Sequence, residues 1–91
     1  MKKVFKYALS VADMQTVELP KGAKVLRVDT QSNGGENLFL WVLVNPDEKE
    51  TESIRIRCAG TGHSIEEEDI EYINTVFLFG GTLVLHFFMV K

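Results

Sequence analysis

Apolar and polar residues alternate with a period of two through most of this chain, the signature of strands. Lys3 to Leu9 sets Val4, Lys6 and Ala8 against Phe5, Tyr7 and Leu9, which predicts a first strand with an aromatic face entering the core. Asp13-Met14-Gln15 reads as a turn, and Thr16 to Pro20 as a short strand that Pro20 ends or places at a sheet edge. Pro20-Lys21-Gly22-Ala23 is a turn signature, since φ is preset at proline and relaxed at glycine. Lys24 to Thr30 sets Leu26, Val28 and Thr30 against Val25, Arg27 and Asp29, and Asn33-Gly34-Gly35-Glu36 carries the strongest hairpin signal in the chain.

Leu38 to Val44 departs from this alternation, because it is apolar on both faces and too short and β-branched to prefer a helix. Asn45 to Glu52 follows as a solvated, charged loop, and Ser53 to Ala59 as another strand. Glu66 to Tyr72 is acidic enough for one or two helical turns capped by Ser64, because carboxylates in a first turn suit the helix dipole. Ile73 to Phe79 and Thr82 to Val90, joined through Gly80-Gly81, form a final hairpin that is apolar on both faces. The resulting fold class is mainly β: one domain over residues 1–91, built as a small antiparallel sandwich or open barrel of about seven strands with at most one short helix. Helices are too few to cover the second apolar faces, so a partner subunit is the expected cover and a homo-oligomer the expected state.

A chain of 91 residues buries a modest core, which strengthens the case for association. Its 45% hydrophobic and 25% charged content are globular values. The formal charge of −3 gives no general attraction for phosphate backbones, so no DNA or RNA partner is expected. No run approaches the roughly 18 apolar residues of a membrane helix, and the apolar stretch after Met1-Lys2-Lys3 is too short for a signal peptide, so no membrane partner and a cytoplasmic location are expected. The single cysteine, Cys58, has no internal disulfide partner and reads as a small strand residue in a reducing compartment.

Candidate chemistry concentrates at Gly60-Thr61-Gly62-His63-Ser64-Ile65. Two glycines one residue apart permit positive φ and close backbone approach, turn amides can gather as an anion nest, and His63 adds an imidazole, the side-chain type that can switch charge near neutral pH. The preceding strand places Arg55 and Arg57 on one face, as a fork for phosphate or as partners of neighbouring acids. The loop lacks the third glycine of a dinucleotide fingerprint and the ending of a P-loop, which leaves ligand contact and a structural turn both open. No metal site is expected from two histidines and one thiol, and no cofactor is called for. Strand parity puts Cys58 with Ile54 and Ile56 on the core side, away from His63, and the Glu66–Asp69 run lacks the contrasting environments of acid–base catalysis, so the chain is not expected to be an enzyme. Trp41 reads as core, interface or stacking platform, and His86 as a hydrogen-bonded core or interface histidine.

Five phrases carry a resemblance over nearly the whole chain. Lys6-Tyr7-Ala8-Leu9, Gln15 to Leu26, Leu40-Trp41-Val42-Leu43-Val44, Gly60 to Ile65 and Gly80 to His86 follow in the order found in a group of small phage and prophage proteins classed as a domain of unknown function. That group usually has proline where this chain has Ser64. On size, expected oligomerisation and phage character the chain also resembles, more loosely, the phage sponges that sequester cyclic nucleotide signals of antiviral systems such as CBASS and Thoeris. This second resemblance implies a small anionic nucleotide as partner, with Arg55, Arg57 and the loop amides of Gly60, Thr61, Gly62 and His63 toward phosphates, and Trp41 and Tyr72 stacking on a base. The alternative is a protein-interaction module, either a virion component or an inhibitor of a host protein.

Overall fold

The computed structural model describes residues 1–31 and 37–91. Its strands are β1 (Lys3–Leu9), β2 (Met14–Pro20), β3 (Lys24–Thr30), β4 (Leu38–Val44), β5 (Thr51–Gly60), β6 (Ile70–Leu78) and β7 (Leu83–Val90), with a short 3-10 turn at Phe79–Gly81. They form two open sheets, ordered β1-β4-β3 and β2-β5-β7-β6, in which every pairing is antiparallel. The mainly β fold expected as a small antiparallel sandwich or open barrel of about seven strands is therefore observed, as two sheets that do not close. The turn expected at Asn33-Gly34-Gly35-Glu36 lies outside the described residues. Among the described residues no helix is long and apolar enough to cross a membrane.

The core lies between the sheets. Leu38, Leu40, Val42 and Val44 of β4 face Ile56 and Cys58 of β5, Val76 and Leu78 of β6, and Leu85 and Phe87 of β7. Each fully buried aliphatic or aromatic side chain contributes roughly 1.5–3 kcal/mol relative to exposure. β1 is an edge strand: Tyr7 and Leu9 pack on the core while Phe5, at its outer end, stays partly exposed.

The pairing revises four local expectations. β2 begins at Met14 rather than Thr16, because Met14 and Gln15 already pair with Arg57 and Ile56, and this absorbs the turn expected at Asp13-Met14-Gln15. β5 extends to Thr51–Gly60, beyond the expected 53–59. Glu66 to Tyr72 forms no helical turn; β6 starts at Ile70, where the ladder from Ile70↔Val90 to Tyr72↔Phe88 satisfies backbone groups of β7 that a helix would leave unpaired. In β3 a bulge between Val25 and Arg27 ejects Leu26 and turns Val25 onto the core face with Val28, reversing the parity expected for those two residues.

Two side-chain amides hold the open sides of the sandwich together. At one side Asn74 of β6 accepts from the Val28 N–H through Oδ1 at 2.8 Å and donates through Nδ2 to the Val28 carbonyl at 2.7 Å, so it imitates a strand neighbour for β3. On the other side Gln15 of β2 does the same to Ser10, just past β1, accepting from its N–H at 3.0 Å and donating to its carbonyl at 2.8 Å. Each amide satisfies two backbone groups that the sheet ladders leave over.

Candidate functional site

β5 delivers the chain into the glycine–histidine loop. His63 N–H donates to the Gly60 carbonyl at 3.1 Å, and Gly62, third in this four-residue turn, has φ +87°, the left-handed value that a type II turn requires at that position. The exposed His63 ring lies over Gly60, so that a Cβ there would come within 3.1 Å of the imidazole. Glycine at 60 thus gives the ring its seat, and glycine at 62 gives the turn its shape.

Across the outer face of the larger sheet, Ala59 pairs with His86 and His86 with Thr75. This register brings four polar side chains into one hydrogen-bonded row. The Thr61 hydroxyl meets His86 Nε2 at 2.8 Å, His86 Nδ1 meets the Thr75 hydroxyl at 2.9 Å, and Thr75 meets the Tyr72 hydroxyl at 2.7 Å. A neutral imidazole donates at one nitrogen and accepts at the other, so the hydroxyls at the two ends of the row are oriented together. Beside the loop, Gly60, Thr61, His63, Thr82, Leu83 and Val84 line an open cleft of about 260 Å³. The neighbouring surface carries uncovered aromatic rings: Tyr72 is 58% and Phe77 67% exposed, and Tyr72 packs against Phe88 at 5.7 Å between centroids.

Arg57 has a different setting from its neighbour. Only 14% of its side chain is accessible, and it donates to Glu67 Oε1 at 2.9 Å, to the carbonyls of Asp13 at 3.1 Å and Cys58 at 2.8 Å, and to the Ser64 carbonyl at 3.1 Å. These bonds fasten the segment after the loop onto the sheet. A backbone hydrogen bond at Glu67, followed by the Arg57 guanidinium, holds the Glu67 carboxyl below its ordinary value. Arg55 stands exposed on the same face, between Thr16 and Val90.

The structure therefore gathers Gly60, Thr61 and His63 around the cleft, keeps Gly62 in the same turn, and connects Tyr72 to them through Thr75 and His86. It does not gather Trp41, which faces outward on the smaller sheet, opposite Lys6 and Arg27. Arg57 braces the loop instead of presenting a fork with Arg55. Cys58 is buried, and desolvation, reinforced by Asp13 and opposed by Arg57, pushes its thiol up, away from nucleophilic use. Among the described residues no three His, Cys, Asp or Glu side chains come together as metal ligands. His86 and Thr75 are the site residues that reading the sequence missed; the polar parity of Thr75 and His86 inside apolar strands was the available signal, and strand register was needed to join them.

The five phrases that pointed to a domain of unknown function are spread along the chain, and a family model described as a domain of unknown function, DUF7352, matches residues 1–91. The chain belongs to the DUF7352 family. No curated protein and no solved structure matches it. Family membership assigns no activity, so the chemistry of this DUF7352 domain rests on its own geometry: turn amides, two imidazoles and two threonine hydroxyls beside a cleft, next to exposed rings that suit binding by hydrogen bonds and stacking.

Proposed function

We propose that this DUF7352 chain is a phage-type accessory protein of the host cytoplasm that binds and sequesters a small anionic nucleotide signal without chemical turnover, in a pocket completed by a second copy. The observation that carries this reading is the cleft at Gly60, Thr61 and His63, which is joined by the Thr61–His86–Thr75–Tyr72 row to exposed aromatic rings. Loop amides and the exposed Arg55 supply hydrogen bonds and positive charge for phosphate, and Tyr72 and Phe77 supply π-faces for a base. Apolar outer surfaces of this extent are uncommon on monomers, which is why the second wall is assigned to another subunit.

Calorimetric titration with cyclic oligonucleotides and cyclic ADP-ribose isomers tests the reading. Saturable heat with one member supports it, and no heat with any member at tens of micromolar protein overturns it. His63→Ala is expected to weaken ligand binding more than it lowers the melting temperature. Light scattering that finds a monomer at micromolar concentration removes the shared-pocket part.

A second reading, an interaction module acting on a host or virion protein, is favoured by one specific feature. At the tip of the β6–β7 hairpin Phe79 is 49% exposed and held at φ +50°, beside exposed Phe77 and Leu83. Pull-down from host lysate separates the two: a stoichiometric protein partner together with no nucleotide heat selects the interaction module.

A further inference from the structure

The outer face of the smaller sheet carries its own pattern, independent of the glycine–histidine loop. Three cross-strand rows are set by the pairing: Val4–Leu43–Lys24, Lys6–Trp41–Arg27 and Ala8–Phe39–Asp29. Phe39 and Trp41, two residues apart on the central strand, point the same way and stack edge to face at 6.0 Å. Lys6 Nζ sits 4.6 Å from the centre of the Phe39 ring, and Arg27 flanks Trp41 from the opposite strand. The rows hold three cations and one acid, Asp29, which Arg27 engages through Nε at 3.0 Å and through its terminal amine at 2.9 Å. The chain as a whole has a formal charge of −3, whereas three cations against one acid leave these rows with a net positive charge.

From this local excess of cations beside two aromatic rings we infer that the β1-β4-β3 face is a platform for single-stranded nucleic acid. Aromatic rings on a sheet with cations beside them stack bases without regard to sequence while the cations meet the phosphates. Trp41 and Phe39 take the bases; Lys6, Lys24 and Arg27 take the backbone. Whole-chain charge argued against such a partner, but phosphate responds to local charge, and the local sign is set by a strand order that the sequence did not disclose. A polyanion without bases would satisfy the cations and leave the rings unused, which gives the test its control.

Trp41 is the chain's single tryptophan, so its fluorescence reports the platform directly. The full chain is titrated with a labelled oligothymidylate of about 15 nucleotides, matching the site sizes of single-strand binders, and label anisotropy and Trp41 emission are followed together. Saturable anisotropy accompanied by Trp41 quenching is expected. Three phosphate contacts at a slope of roughly −0.7 each predict a roughly twenty-fold loss of affinity for a fourfold rise in salt. In the double variant Lys6→Gln, Lys24→Gln, which leaves the core untouched, that loss should shrink to about threefold. Trp41→Ala should weaken binding roughly tenfold or more, with circular dichroism checking that the fold persists. The inference is overturned by no anisotropy change at about 100 µM protein in about 50 mM salt, by binding without Trp41 quenching, or by equal competition from polyglutamate, which would mark the face as a dock for acidic protein. Loss of nucleotide binding in His63→Ala with oligothymidylate binding intact would separate this surface from the loop site.

Discussion

Asn74 is the residue whose removal tests the architecture most directly. Val28 is fully buried, and its N–H and carbonyl both have the Asn74 amide as partner, at 2.8 and 2.7 Å. Asn74→Ala removes both bonds and leaves two backbone groups of β3 unpaired next to the core. An unsatisfied buried group costs about 1–3 kcal/mol. The site lies where the sheets meet at an open side, so water reaches part of the vacated space, and a total of about 2–4 kcal/mol follows. In a domain of this length each kcal/mol lowers the melting temperature by about 4–8 °C, which puts the expected fall near 10–25 °C. Urea unfolding followed by Trp41 emission should give a lower midpoint with an unchanged slope. Asn74→Asp supplies the internal control. It keeps an acceptor for the Val28 N–H but sets a carboxylate against the Val28 carbonyl, which raises the carboxyl pKa in the folded state above its unfolded value. The protonated form restores a donor, so this variant should recover stability below about pH 4 and lose it as pH rises through the folded pKa. A change in Asn74→Ala of less than about 0.5 kcal/mol, the range of an ordinary surface substitution, would refute the idea that the amide holds the two sheets together.

Three further outcomes follow from the loop and the hairpin tip. Gly60→Ala should lower stability little, because the atoms its Cβ meets belong to the exposed His63 side chain, which can turn aside, and His63→Ala should abolish even that cost; Gly62→Ala should cost about 1–2 kcal/mol for the left-handed φ, and a thermal-melt double-mutant cycle compares them. The Glu67 carboxyl is depressed in the folded chain, so the contribution of its bonds is complete above its ordinary value of 4.5 and fades as pH falls through the lower folded value; amide exchange over residues 64–67 should quicken below pH 4.5 in the native chain and show no such step in Glu67→Gln. Phe79→Gly removes a bulky residue from φ +50° and should raise the melting temperature by about 4–8 °C, whereas a fall would mean that the ring makes contacts worth more than the strain.

The sandwich was legible because hydrophobic patterning is a local property: β4 reads as buried from Leu38 to Val44 alone, and the apolar hairpin of β6 and β7 from its own residues. What the sequence hid depends on pairing. The acids before Tyr72 satisfy every local rule for a helix start, yet residues 70–72 become strand because Val90 and Phe88 of β7 pair with them. Arg57 looks like Arg55 in the alternation, and only the return of the chain over Ser64 and Glu67 separates a brace from an exposed cation. Trp41 and the glycine loop are both conspicuous in the sequence, but strand order places them on different sheets, so the residues expected to form one site lie on two surfaces.

The same pairing explains how one irregularity in β6 extends the candidate site right beside the residue that closes the fold. In an unbroken strand Tyr72 and Thr75, three residues apart, would point to opposite faces, and Thr75 would share its face with Ile73. The register shift between Tyr72 and Asn74 lets Ile73 stand as an extra residue, so Tyr72 aligns with Phe88 and Thr75 with His86, both on the outer face. Asn74 shares the face of Val76 and Leu78 by ordinary alternation, and from there its amide reaches Val28. Without the shift Tyr72 would share the inner face with Asn74, and the row from Thr61 through His86 would end at Thr75. The bulge thus carries the polar row from the glycine–histidine loop out to the exposed aromatic surface, while Asn74, the first regular residue after it, joins the two sheets.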